Sequence, residues 1–273
     1  MTPQLSREPV GREIAMDDQY SKWQTKELAQ TFLQGVRGAI PGANFQLEVL
    51  AKVVSVWVPL PSKILDLGCG DGALGRMLLD AHPTAHMIFA DFSEPMLEAL
   101  RRQIGTHQRV TIIKADFATP AWTKRFEVEK PFDVIVSGLA IHHQPDDRKK
   151  EIYAEIYGLL SEGGVFLNLE HVSSATPSGS ALFDSFFVDH LLRFHNNANP
   201  SKTRQEVEEV YYRRPDKKEN ILAPVETQCQ WLREIGFQDV DCFFKVFELA
   251  LFGGRKASNQ PTLPIAGVSP RLT

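Results

Sequence analysis

The segment Asp66-Leu67-Gly68-Cys69-Gly70-Asp71-Gly72 stands directly between an apolar strand pattern and an apolar helix pattern. Glycines at such a turn let the chain bend sharply and bring its backbone against a ligand that a Cβ would exclude. Gly68, Gly70 and Ala73 also satisfy the spacing of a dinucleotide-binding turn, so the turn alone does not say whether its ligand carries phosphates. Asp66 bears on that choice. A carboxylate just ahead of the first glycine repels a pyrophosphate and favours a phosphate-free nucleoside that bears an ammonium group. Asp91 suits acceptance of hydrogen bonds from two ribose hydroxyls. Asp116 suits acceptance from the exocyclic amine of a purine, with Phe92 or Phe117 as an apolar wall.

These acids need strands to place them. Apolar runs at residues 63–67, 86–91, 110–114, 132–137 and 165–169 read as strands, each of the first four followed by a connecting segment. Helical periodicity is carried by Leu74, Met77 and Leu78, by Met96, Leu97 and Leu100 after an N-cap at Ser93, and by Ile152, Ile156 and Leu159. Ser161 to Gly164 is expected to end that last helix. Alternation of this kind predicts an α/β fold with a Rossmann-like, doubly wound, mostly parallel sheet. Asp66, Asp91 and Asp116 then fall at the carboxyl ends of three successive strands, where open α/β sheets bind ligands. Residues 173–222 carry no strand signal. They read as a helical insert with an apolar stripe of Leu182, Phe183, Phe186, Phe187, Leu191 and Phe194, and the run from Phe237 to Gly253 reads as a hairpin.

At this point a resemblance enters. ILDLGCGDG, FADFSEPML, KADF, FDVIVSGLAIHH and LLSEGGVFLNLEH, in this order over residues 63–170, resemble the motifs of the class I S-adenosylmethionine (SAM)-dependent methyltransferases. The resemblance implies a seven-stranded sheet ending in a reversed hairpin, SAM as cofactor, and S-adenosylhomocysteine (SAH) as product. It implies a cofactor-binding set of Asp66, Gly68, Cys69, Gly70, Asp91, Phe92, Met96, Asp116, Phe117 and Ser137. The Pro41-Gly42 approach, the insert and the ending from Val225 to Gly253 further resemble the branch of carboxy-SAM synthases and tRNA wobble-uridine methyltransferase-like proteins. In that branch an insert arginine holds the carboxylate of carboxy-SAM. Arg213 and Arg214 fall nearby but out of register, and Gly70-Asp71-Gly72 follows the ordinary methyltransferase pattern.

Methyl transfer from a sulfonium needs alignment and water exclusion, with a general base where the acceptor atom has a high pKa, and no metal. His142 and His143, after the fourth strand, are the candidate catalytic residues; the alternative is that they only shape the pocket. Glu170 and His171 also stand where they can face the acceptor. Asp146 and Asp147 read as a helix N-cap. Trp23 and Arg37 are placed to close the other side.

The expected acceptor is a small molecule. The net charge of −4 disfavours a dedicated nucleic-acid binder, although the Tyr211-Tyr212-Arg213-Arg214 stretch with Lys217 and Lys218 keeps RNA contact open. RNA-base methylation and a SAM-modifying reaction are the alternatives, and a homodimer is compatible with the sequence. Three scattered cysteines and a polar N-terminus without an apolar core predict a cytoplasmic protein with no membrane segment. The expected organisation is a disordered 1–19, a helical cap at 20–60, a SAM-binding domain at 61–255 and a disordered tail at 256–273.

Overall fold

Each βα unit buries one stripe of its helix against the strands beside it. In the computed structural model, residues 39–198, 202–213, 217 and 219–258 are described. Helix α1 (Ala43–Trp57) leads into β1 (Lys63–Leu67), α2 (Ala73–Ala81), β2 (His86–Asp91), α3 (Glu94–Ile104) and β3 (Val110–Lys114). A 3-10 turn at Pro120–Phe126 precedes β4 (Phe132–Gly138), and a shorter one at Ile141–His143 precedes α4 (Asp146–Leu159) and β5 (Leu160–His171). The insert follows as α5 (Pro177–Ala198) and α6 (Arg204–Arg213), and α7 (Val225–Ile235), β6 (Gln238–Val246) and β7 (Leu249–Arg255) complete the sheet. No helix among the described residues is long and apolar enough to cross a membrane.

The expected seven-stranded sheet is present, in the order β3-β2-β1-β4-β5-β7-β6. Strands β1 to β5 pair in parallel, and β7 runs antiparallel to both β5 and β6. The chain steps outward from β1 to β3 and then returns to lay β4 against the other side of β1. That reversal opens a crevice above the carboxyl ends of β1 and β4.

Strand parity decides which side chains face which layer. Leu65 and Leu67 join Ile88, Ile152, Ile156 and Leu232 in one buried core. Ile64 joins Leu50, Val54, Leu74, Leu78, Leu97 and Leu100 on the other face. A third cluster packs Phe183, Phe187, Leu191, Val207 and Tyr211 of the insert against Ala39, Ile40 and Leu249. Leu182, which periodicity assigns to the same stripe, is 58% exposed.

Two local expectations need correction. Ser161 to Gly164 belong to β5 rather than to a helix end: Ser161 Oγ donates to the Phe132 carbonyl, and Gly163 N–H donates to Lys256 O at 3.1 Å. Pro145, not an aspartate, occupies the N-cap of α4, while Asp146 in its first turn accepts from Lys149 Nζ at 2.7 Å. The cap at 20–38, Trp23, Arg37, Arg214, Lys218, the 1–19 segment and nearly all of the tail lie outside the described residues.

Candidate active site

The glycine turn has its shape because three left-handed residues follow β1: Gly68, Gly70 and Gly72 have φ of 67°, 54° and 80°. At Gly68 a Cβ would stand 2.4 Å from Ala140 Cβ and 3.3 Å from Phe117, and at Gly72 it would stand 2.4 Å from Leu100 Cδ1. These two glycines are required by close packing. Gly70 is different. A Cβ there meets nothing within 4 Å, because the turn opens onto a cleft.

That cleft, about 740 Å³ including its open mouth, is walled by the glycine turn, by residues 91–93 and Met96, by Asp116 and Phe117, and by residues 138–140, His143 and Gln144. Its size lies within the range of small-ligand sites. Asp91 organises the centre. Its Oδ2 accepts from Gly70 N–H at 2.8 Å and its Oδ1 from Ser93 N–H at 2.8 Å. Burial raises the Asp91 carboxyl pKa, those backbone donors pull it back, and Asp116 adds a smaller upward push. Asp116 accepts from Ala118 N–H at 2.9 Å and stays exposed at the cleft edge. Cys69 also lines the wall, but burial and the charges of Asp91, Asp66 and Asp71 push its pKa well up, so it stands as a neutral thiol.

Of the expected cofactor set, Gly68, Cys69, Gly70, Asp91, Phe92, Met96, Asp116 and Phe117 are brought together around this cleft. Asp66 and Ser137 are not on its wall. Asp66 shares the strand face of Ile64, so its carboxylate turns under α2 and accepts from Gly75 N–H at 2.8 Å. It anchors the start of that helix, where a negative charge is favoured. Ser137 is fully buried and donates to Leu67 O at 2.8 Å, tying β4 to β1 beneath the turn.

The two candidate histidines separate. His143 borders the cleft and holds Glu219 O through Nδ1 at 3.3 Å. A carbonyl only accepts, so Nδ1 carries a proton. His142 turns inward, 6% exposed, with Nδ1 2.5 Å from Glu170 Oε1, while its backbone N–H donates to Glu170 Oε2 at 3.0 Å. Its ring lies 4.0 Å from that of His143, centre to centre. Burial raises the Glu170 carboxyl to about 7. Burial first, then the charges of His171 and Lys149, hold His142 well below the ordinary imidazole range. The last proton of the pair therefore sits on the Glu170 side and leaves around pH 7.

His171 meets Glu248 at 3.1 Å and lies near Asn220, behind the cleft wall. Arg213 projects outward from α6, 80% exposed, and among the described residues pairs with Glu209 at 3.9 Å. Sequence reasoning missed Ser93, Gly138, Leu139, Ala140 and Gln144 as cleft residues. Leu139 adopts φ 54°, which no residue type there announces.

The residues suit a nucleoside cofactor: backbone open at Gly70, a buried carboxylate at Asp91, and Phe92, Met96 and Phe117 as apolar walls. Comparison with known proteins agrees. A family model described as a methyltransferase domain matches residues 64–164. The chain is 25% identical to the carboxy-S-adenosyl-L-methionine synthase of Pasteurella multocida over 81% of its own length and 88% of that protein's. It is 33% identical to the malonyl-[acyl-carrier protein] O-methyltransferase of Halalkalibacterium halodurans over 50% of this chain and 44% of the other. In fold it is similar to human N-acetylserotonin methyltransferase in complex with SAM, with a TM-score of 0.56 and 16% identity over 86% of this chain. The matched region spans 58% of the human chain. Residues 64–164 thus match a methyltransferase domain, and the glycine turn, the acid after β2 and the reversed terminal hairpin stand in a fold similar to that of a SAM-bound methyltransferase.

Proposed function

We propose that this enzyme transfers the methyl group of SAM to a small-molecule acceptor by in-line displacement, with His143 receiving the acceptor's proton. Bound SAM supplies a methyl group on a sulfonium, already activated for attack. The chain's residues then have three tasks. Asp91 and the Gly68–Gly70 turn seat the nucleoside, residues 138–140 complete the cleft wall, and His143 offers a base on it. The observation that carries the reading is the place of His143 on the cleft wall, its ring held through Nδ1 by Glu219 O. His142 and Glu170 act behind it, holding the turn that carries His143.

The test is His143→Gln assayed with SAH titration and with single-turnover methyl transfer to an acceptor found by screening metabolites with labelled SAM. Loss of a general base is expected to slow the transfer by about 10²- to 10⁴-fold without a matching loss of SAH affinity. Unchanged transfer removes His143 from the mechanism. The similarity to carboxy-SAM synthase favours a second reading, modification of SAM itself. Mass spectrometry of the nucleotide that co-purifies distinguishes the two, since carboxy-SAM is the heavier.

A further inference from the structure

Gln144 is 4% exposed and lines the cleft, yet its carboxamide has no hydrogen-bond partner among the described residues. Its only recorded bond is made by the backbone, Gln144 N–H to Ile141 O at 3.0 Å. A buried amide without partners is uncommon, since both its donor and its acceptor give up water. Its oxygen and nitrogen are not among the fully enclosed orphan atoms, so they reach the cleft space itself. A carboxamide in this position offers one acceptor and two donors to whatever fills the cleft.

The fold says which residues share the cleft wall with Gln144. Ala140 Cβ and the ring of Phe117 both lie close to Gly68. Arg148, one turn into α4, donates Nε to Phe117 O at 2.9 Å. Gln144 therefore stands on the same cleft wall as Asp116 and Phe117.

We infer that Gln144 reads the adenine of the bound cofactor, its carboxamide pairing with the exocyclic amine and an adjacent ring nitrogen. Adenine presents a donor beside an acceptor along its edge, and a glutamine matches that pair with two hydrogen bonds. Asp116 supplies a second acceptor on the same wall. The inference rests on SAM as the cofactor and adds a recognition element that a glycine turn and its acids do not contain.

Isothermal titration with SAH, and with an SAH analogue in which hydrogen replaces the exocyclic amine, tests it without any turnover. Gln144→Leu is expected to weaken SAH binding by roughly 5- to 150-fold, the worth of a bidentate base contact. The analogue's penalty relative to SAH is expected to shrink by roughly threefold or more in the variant, because the leucine leaves no carbonyl to miss the amine. Gln144→Met serves in its place if the leucine variant does not fold. Equal SAH affinity in wild type and variant overturns the inference. So does an equal weakening of both ligands, which marks a change in wall shape alone. A wild-type protein that binds neither ligand refutes the cofactor assignment, and this role with it.

Discussion

Replacing His142 and Glu170 singly by Gln should expose two opposite pH dependences that cancel in the native protein. In the unfolded chain the pair titrates near 4.5 and 6.5, and between those values it holds one proton, on the histidine. In the folded protein burial moves Glu170 up to about 7 and His142 well down, so wherever His142 is neutral below pH 6.5 the pair again holds one proton, now on the carboxyl. Over that range equal proton counts mean that this pair contributes little slope to stability.

His142→Gln leaves Glu170 alone. Its raised pKa owes nothing to His142: burial is the main cause. Stability from a raised acid is fully present below 4.5 and is lost as pH rises through about 7. That interval corresponds to about 3 kcal/mol. Glu170→Gln leaves a depressed histidine, whose contribution is present above 6.5 and falls away as pH drops. Urea unfolding of the three proteins from pH 5 to 8 reads the difference, since every other titrating group is common to them. Stability profiles of both variants that run parallel to the wild type would refute the shared-proton account.

Three further substitutions probe the turn and the strap of residues 219–223. Gly70→Ala should cost about 1–2 kcal/mol for its left-handed backbone, because a Cβ there meets nothing in the protein; SAH titration should nevertheless show binding weakened by at least about tenfold, as the methyl group projects into the cleft. Gly72→Ala adds a clash with Leu100 to the same backbone strain, so thermal unfolding should show a further loss of about 1–3 kcal/mol beyond Gly70→Ala. Lys149, 1% exposed, donates to Ile221 O and to Asp146, while Ile221 N–H donates to His142 O at 2.9 Å. Lys149→Met should cost about 1.5–3 kcal/mol and speed amide exchange at residues 219–223; exchange that stays at the wild-type rate would show that the lysine does not hold the strap.

Much of the fold was legible because burial periodicity is written locally. The runs 86–91 and 110–114 are strands at those bounds, and Gly236, at φ 113°, ends α7 where its residue type says a helix should stop. The β5 start was not legible, because Ser161 and Gly163 gain their hydrogen bonds from Phe132 and Lys256, which are distant in sequence. Leu182 misled for a related reason: a wide apolar stripe does not say which edge faces the core.

The site divides along the same line. Residue type and spacing determined the glycine turn, the acids closing β2 and β3, and the two histidines after β4, because each lies within one local βα unit. Only the tertiary structure decided that Asp66 serves α2 and not the cleft, since that depends on which sheet face β1 presents to its neighbour. It alone turned His142 inward to Glu170 and left His143 at the cleft, a sorting made by pairing β4 with β5 and by the strand of chain that crosses at Glu219. It alone left the Gln144 carboxamide on the cleft wall without a hydrogen bond among the described residues. Sequence sets which groups are available; packing of distant segments sets which are satisfied, and an amide left unsatisfied in a cleft is what a ligand completes.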